Sequence, residues 1–454
     1  MAGGGPEDED EEEAFLEEDE GEVVADLEGG GEEDEEDDDA ELEDPGEEEG
    51  PGGSGDVAMG GFGGASEAPP PAREDAAAVF GGHDGEAVFA VAWGPPGTPA
   101  AGLAASGGAD DLGWLWRPAA HAPAAGVGPG AAGARAAGAL PLSGHSDSVV
   151  AVGFASDGTL LATGGMDGRV LVWEVAGLAA ASGSGQPAVP ARALEGPGDA
   201  IEALAWHPRG PVVAAASADF SCWMWAASSG TCMQVFTGHA GPVASLRFVP
   251  DGRRLATAGA DGTVRVWDPR TGTNEKTFQG HGFHTDAVTC LDASLDSTLL
   301  LSGSADGSVG LSGPAMSAGF LMAGGHAGQA VEAVAFSPAA GGNLMAASAG
   351  LDGRALVWDL QARQARAELK APGLGGDGVP AGLIALAWTP GGALLVTGGL
   401  DARVRVWDAR SGEARAVLEG HRVNILCLSV APAGDAALAG SDDGTARAFP
   451  LPPA

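Results

Sequence analysis

The chain has 454 residues, 64 of them acidic and 22 basic, a formal net charge of −42, and Lys276 and Lys370 as its only lysines. A surface of that sign repels phosphate, which argues against direct nucleic-acid binding and for a basic protein partner. No run of about 20 apolar residues exists to span a membrane, so membrane binding is not expected.

Taken in chain order, residues 1–50 hold 28 of the acids and no base. Too little apolar surface and too much self-repulsion predict a disordered acidic arm. Its acidic start predicts no secretory leader. Residues 51–74 read as a Gly/Pro-rich linker. From 75 to 454 the chain repeats itself. An Asp recurs at Asp110, Asp167, Asp219, Asp261, Asp306, Asp352, Asp401 and Asp443, at spacings of 57, 52, 42, 45, 46, 49 and 42. Six residues after each come Trp116, Trp173, Trp225, Trp267, Ser312, Trp358, Trp407 and Phe449. Each unit alternates short apolar runs with Asp-Gly turns, as in "SVVAVGFASDGTLLATGGMDGRVLVWEV". These are strand and hairpin signals, with no helical periodicity. A four-stranded unit cannot bury both faces alone, whereas a radial set of them can. The last unit has only three strands after its inner loop. Residues 76–81 within "DAAAVFGGH" match "CMQVFTGH" (232–239) and are expected to supply the fourth. The Ala/Gly/Pro-rich stretches 118–139, 178–191 and 371–381 read as loops inserted within units.

These units resemble the WD40 family, which implies an all-β, eight-bladed propeller. The resemblance also implies a hydrogen-bonded chain in each blade, formed by a Gly-His before the first strand, a Ser or Thr in the second, the Asp of the tight turn and the Trp of the third strand. Four complete sets are present: His83/Ser106/Asp110/Trp116, His145/Thr163/Asp167/Trp173, His239/Thr257/Asp261/Trp267 and His326/Ser348/Asp352/Trp358. His284 lies 22 residues before Asp306, the gap seen from His145 to Asp167, so it rather than His281 is expected to pair with Asp306. Phe283 stands there in place of Gly. Blade 5 has Ser312 for Trp, blades 3 and 7 lack the His, and blade 8 has Ala439 and Phe449 at the hydroxyl and Trp positions. Blades 5 and 8 are expected to open first. The His–Asp pairs read as structural, and no GxxxxGK[ST], HExxH or GxSxG motif suggests an enzyme. Cys222, Cys232, Cys290 and Cys427 show no metal spacing and read as buried reduced thiols, so neither a metal nor a cofactor is expected.

Several stretches are more specific: "EVVADLE" in the arm, "GGADDLGWLW" in blade 1, "GDAIEALAWHPRGPVV" and "ADFSCWMW" in blade 3, and "HTDAVTCL" in blade 5. Together they are similar to the angio-associated migratory cell protein family. That family includes a fungal chaperone dedicated to a large-subunit ribosomal protein, and animal members linked to migration and signalling. The resemblance implies a non-enzymatic protein; the unpaired cysteines and the acidic start fit a reducing, cytoplasmic or nuclear setting, and a monomer is assumed. Its expected role is to hold a basic ribosomal client on an acidic face during 60S assembly. The expected contact residues are Asp84, Asp147, Asp199, Glu202, Asp286, Glu332 and Asp442, with Phe220 and Trp223 as flat apolar neighbours. Trp223 reads equally as packing inside its blade, and acidity also keeps a protein soluble. Alternatives are a signalling scaffold and a ubiquitin-ligase substrate receptor. For the latter, "VRVWDPR" and "VRVWDAR" resemble the WDxR signature through Asp268, Arg270, Asp408 and Arg410, although in ordinary strands that Arg makes a local salt bridge.

Overall fold

A computed structural model describes residues 73–118, 139–181, 187–339, 345–370 and 381–453. The acidic arm, most of the linker, most of the 118–139 insertion and residues 371–380 lie outside the described residues.

Val, Leu and Ile runs broken by Asp-Gly turns form eight four-stranded antiparallel sheets. Every second strand ends in small residues, as in Ala104–Gly108 (AASGG) and Leu160–Gly165 (LLATGG). Their small size lets neighbouring blades pack face to face, with the blade Trp wedged between them. Trp173 packs with Leu103, Leu115 and Leu142 of blade 1, and Trp358 with Leu301, Leu311 and Met322 of blade 5. The inner strands, Val88–Trp93, Val149–Phe154, Ile201–Trp206, Val243–Phe248, Val288–Ala293, Val331–Phe336, Leu383–Trp388 and Ile425–Val430, each touch the next, and the last touches the first. Three of them are latched by an indole N–H that donates to the inner strand of the preceding blade: Trp206 to Gly153 (2.8 Å), Trp388 to Ala335 (3.1 Å) and Trp93 to Ser429 (3.3 Å).

The last of those latches sits at the seam between blades 8 and 1. Ala78–Phe80 forms the outer strand of blade 8, with Ala78 opposite Ala448 and Phe80 opposite Ala446. The chain just before it is anchored too. The Asp75 amide donates to the Glu419 carbonyl (2.8 Å), the Glu419 amide to the Asp75 carboxylate (2.9 Å), and Arg447 pairs with Glu74. Phe80 is fully buried and stacks on Trp116 of blade 1, with ring centroids 4.8 Å apart and planes 13° apart.

Several features depart from the sequence reading. The stretch 178–191 is not all loop: Val175–Ala181 (VAGLAAA) is a helix, with Val175 and Leu178 buried. Alanine's helix propensity and an apolar pair three residues apart explain it. After it, Ala188 bridges to Leu142 of blade 1. In blade 5, Phe283 is buried against Gly310 and Gly319 and fills space that the missing Trp leaves open. The thiols are free as expected, but Cys232 is exposed on the outer strand Thr231–Thr237 rather than buried.

Candidate functional site: the loop end of the propeller

Because the strands in each blade alternate in direction, the loops into the inner strands and the second-to-third turns all lie at one end. The turn Asp residues hold this end together. His145, His239 and His326 each donate Nδ1–H to the turn Asp, at 3.0, 3.1 and 3.0 Å. At Nε2 they accept the hydroxyls of Thr163, Thr257 and Ser348, at 2.9, 2.8 and 2.7 Å. Thr163, Thr257 and Ser348 in turn accept the Trp173, Trp267 and Trp358 N–H at 3.1, 2.8 and 2.9 Å.

The links therefore run from Asp through His and the hydroxyl to Trp, an order that set membership alone does not fix. Thr163, Thr257 and Ser348 stand between the His and the Trp, and the turn Asp ends the chain on the far side of the His instead of linking to the Trp. The reason is placement. Thr163, Thr257 and Ser348 lie in the middle of their second strands, fully buried beside the Trp, whereas the Asp sits in the turn beyond the strand end. Full burial also keeps these three hydroxyls away from any partner at the surface, so they brace the blade only.

A neutral ring is assigned from this one-way chain of donors. The four complete-set histidines are at most 9% exposed, so the pairs act as ties between strands. Burial pulls the His239 imidazole below its ordinary value, against the raising effect of Asp261. Burial opposes the charge on Asp261 and Asp352, yet hydrogen bonds, from the Ala240 amide and from His326 respectively, hold both carboxyls below the usual range.

Two of the expected sets differ further. In blade 1, His83 meets Asp110 (2.7 Å) and Ser106 (2.9 Å), but the Trp116 N–H is buried without a partner among the described residues. Parallel stacking on Phe80 turns the indole away from Ser106; in blade 4 the matching Phe236 meets Trp267 at 58° and the bond forms. In blade 5, His284 does not bond Asp306. Its Nδ1 meets the Ser308 hydroxyl (2.6 Å) and its Nε2 the Ser302 hydroxyl (2.7 Å). Asp306 instead accepts the amide (2.7 Å) and hydroxyl (2.9 Å) of Thr285.

The remaining blades use substitutes. Asp401 of blade 7 pairs with the fully buried Arg405. Asp219 of blade 3 accepts the Gly198 amide (2.7 Å), while Trp225, in a blade with Ala215 where others have a hydroxyl, keeps an unpartnered N–H among the described residues. His421 of blade 8, absent from the sequence assignments, pairs with Asp443 at 3.1 Å. The "GH" 22 residues before Asp443 was the signal that would have found it. Its Nε2 lacks a partner because Ala439 offers no hydroxyl.

Blade 5 makes stability pH-dependent. Burial lowers the His284 imidazole from 6.5 to about 4, with Asp306 acting in the other direction. The unfolded chain therefore takes up a proton near 6.5 that the folded protein refuses until about 4. Stability should fall across that window by up to ~3 kcal/mol as pH drops, and recover as pH rises. Urea unfolding of His284→Gln should show a flatter dependence over the same window, and an unchanged slope would refute the assignment.

The expected contact residues other than Trp223 reach the loop end. Asp147, Asp199 and Asp286 are exposed, each oriented by accepting the next residue's amide at 2.7 Å. Asp84 is exposed in the blade 1 loop with φ at 49°. Asp442 is half-buried and accepts the Asn424 amide group at 3.0 Å. Glu202 and Glu332 follow the first residue of their inner strands, and desolvation pushes both carboxyls up, with Asp199 adding to the effect on Glu202. Phe220 occupies a turn position where five other blades have Gly; its φ is 71° and it is 46% exposed. That conformation is uncommon for a bulky residue. Trp223 is used inside blade 3: it is half-buried, donates to Ser221 (2.8 Å) and stacks 6.1 Å from Trp225.

At the opposite end, Asp408 pairs with Arg415, while the exposed Arg410 donates only its backbone amide to it, as Arg270 does to Asp268. The local salt bridge expected of these two arginines is not made among the described residues.

Six of the eight blades match the WD40 family (WD domain, G-beta repeat), at residues 139–174, 188–226, 230–268, 272–311, 379–408 and 412–449. With the eight-bladed ring, these repeats make the chain a WD40-repeat protein, a class that typically serves as a protein-interaction scaffold. Within that class it is 30% identical over 206 residues to the angio-associated migratory cell protein of Homo sapiens, covering 45% of this chain. The match spans about two fifths (41%) of that relative's length. Among solved structures, Sqt1 of Chaetomium thermophilum bound to the N-terminus of the ribosomal protein L10 has a TM-score of 0.66 at 24% identity, over 84% of this chain and all of that one. The computationally designed Ika8 protein gives 0.63 at 25% identity over 83% of this chain and all of its own.

Proposed function

We propose that this propeller is an escort that holds a basic segment of a large-subunit ribosomal protein at its loop end during 60S assembly. The observation that carries the reading is the convergence of Asp84, Asp147, Asp199, Glu202, Asp286, Glu332 and Asp442 at one end of a chain with only two lysines. A nascent ribosomal protein is rich in Lys and Arg, and an acidic face attracts it quickly and shields it from stray RNA. The likeness to Sqt1, solved with the N-terminus of L10, supports this, as does the similarity to the angio-associated migratory cell protein. Such an escort acts as a monomer in the cytoplasm and nucleus.

A tagged pull-down from lysate at low and moderate salt, read by mass spectrometry, tests it. One basic large-subunit protein should dominate. Asp147→Lys, Asp199→Lys and Glu202→Lys together should cut its recovery roughly tenfold, and added salt should weaken capture. A bound set of signalling proteins with no basic member defeats the escort reading. The second reading, docking on a ubiquitin-ligase adaptor, is favoured by the guanidinium groups of Arg270 and Arg410, unpaired among the described residues, and recovery of a cullin adaptor would support it.

A further inference from the structure

Every inner strand carries an irregularity at the same place. The register slips between Val88 and Ala90, and at the equivalent point of each of the other seven blades. The residue in the slip is a β-bulge: it has no partner on the second strand, and its side chain is re-aimed. All eight sit one residue from the loop end, on strands that surround the axis, so they form a collar around the axial opening. Thr289 shows how close the collar packs, since its hydroxyl donates to the Val331 carbonyl of the next blade.

The collar is divided. Blades 3 to 6 contribute Glu202, Ala244, Thr289 and Glu332, whereas blades 7, 8, 1 and 2 contribute Ile384, Leu426, Phe89 and Val150. The residue before each is fully buried, but these four apolar side chains are only half-buried. Glu202 is exposed and yet desolvated, the combination a concave mouth produces, and neither glutamate has an ion-pair partner among the described residues. Solubility alone would not place four bulky apolar side chains in a contiguous arc around an opening, opposite two unpaired carboxylates.

We infer that the collar selects an extended basic segment that also carries bulky apolar side chains, seating a Lys or Arg between Glu202 and Glu332 and an apolar residue on the Ile384–Leu426–Phe89–Val150 arc. This rests on the escort reading and narrows it: positive charge attracts the client, and the apolar arc decides which basic segment stays. Desolvating one bulky aliphatic side chain is enough to separate two equally charged segments by a factor of about ten or more.

The experiment uses the full chain and two synthetic peptides of equal length, one alternating arginine with leucine and the other arginine with serine, read by fluorescence anisotropy at fixed salt. The leucine peptide should bind at least about tenfold tighter. Leu426→Ser should lower it toward the serine peptide, and Glu202→Gln should weaken both. Val150→Thr, nearly isosteric, repeats the test with little risk to folding, and circular dichroism checks both variants. Equal binding of the two peptides, with Leu426→Ser and Val150→Thr inert, overturns the inference and leaves the escort reading standing. Failure of both peptides to bind overturns the escort reading and the inference with it.

Discussion

Phe80→Ala should destabilise the propeller by about 4 kcal/mol, measured by urea unfolding. Phe80 is fully buried within the seam cluster that includes Trp114, Trp116 and Leu438, and it comes from the strand that completes blade 8. Truncating it leaves a cavity in the blade 8–blade 1 cluster, on the one outer strand that is held to its blade by hydrogen bonds and packing with no connecting turn. Hydrogen exchange should rise first in Ala446–Pro450 and Val88–Trp93, the strands on either side of that cavity. A loss below about 1 kcal/mol would mean that Asp75, Glu74 and the Trp93 latch hold the seam without the aromatic stack.

Asp401→Ala should cost about 3–5 kcal/mol, since it leaves the Arg405 guanidinium buried and uncompensated. Both side chains are almost inaccessible, at 2% for Asp401 and 0% for Arg405, and the Arg405 Nε already has no partner among the described residues. Adding Arg405→Leu to Asp401→Ala should recover most of the loss, because the buried charge goes with it. A double variant as unstable as the single one would show instead that Asp401 acts through the backbone, through its contact with the Arg403 amide.

Much of this was written in the sequence. An Asp-Gly turn followed six residues later by Trp marks a tight turn and the strand after it. Repeated at blade length, the pattern determined the number of blades, and its likeness to WD40 repeats supplied the class and the end at which the acidic loops gather. Asp147, Asp199 and Asp286 each lie in a loop just before an inner strand, so the likeness to WD40 propellers was enough to put them at the loop end. Spacing also named Thr163, Thr257 and Ser348 as members of their sets, but not their place between His and Trp, which depends on how the loop folds back over the strands. Tertiary structure decided whatever depends on two blades meeting. Trp116 loses its hydroxyl partner as Phe80, in the outer strand of the neighbouring blade 8, stacks on it. His284 turns to Ser308 in a blade whose Trp space is filled by Phe283. Arg405 serves blade 7 where His serves others, and Trp223 turns inward against Trp225. The division of the collar belongs to this second group. Alternation along a single strand does not show where a bulge falls, and only the closed ring sets the apolar residues of blades 7 and 8 beside those of blades 1 and 2.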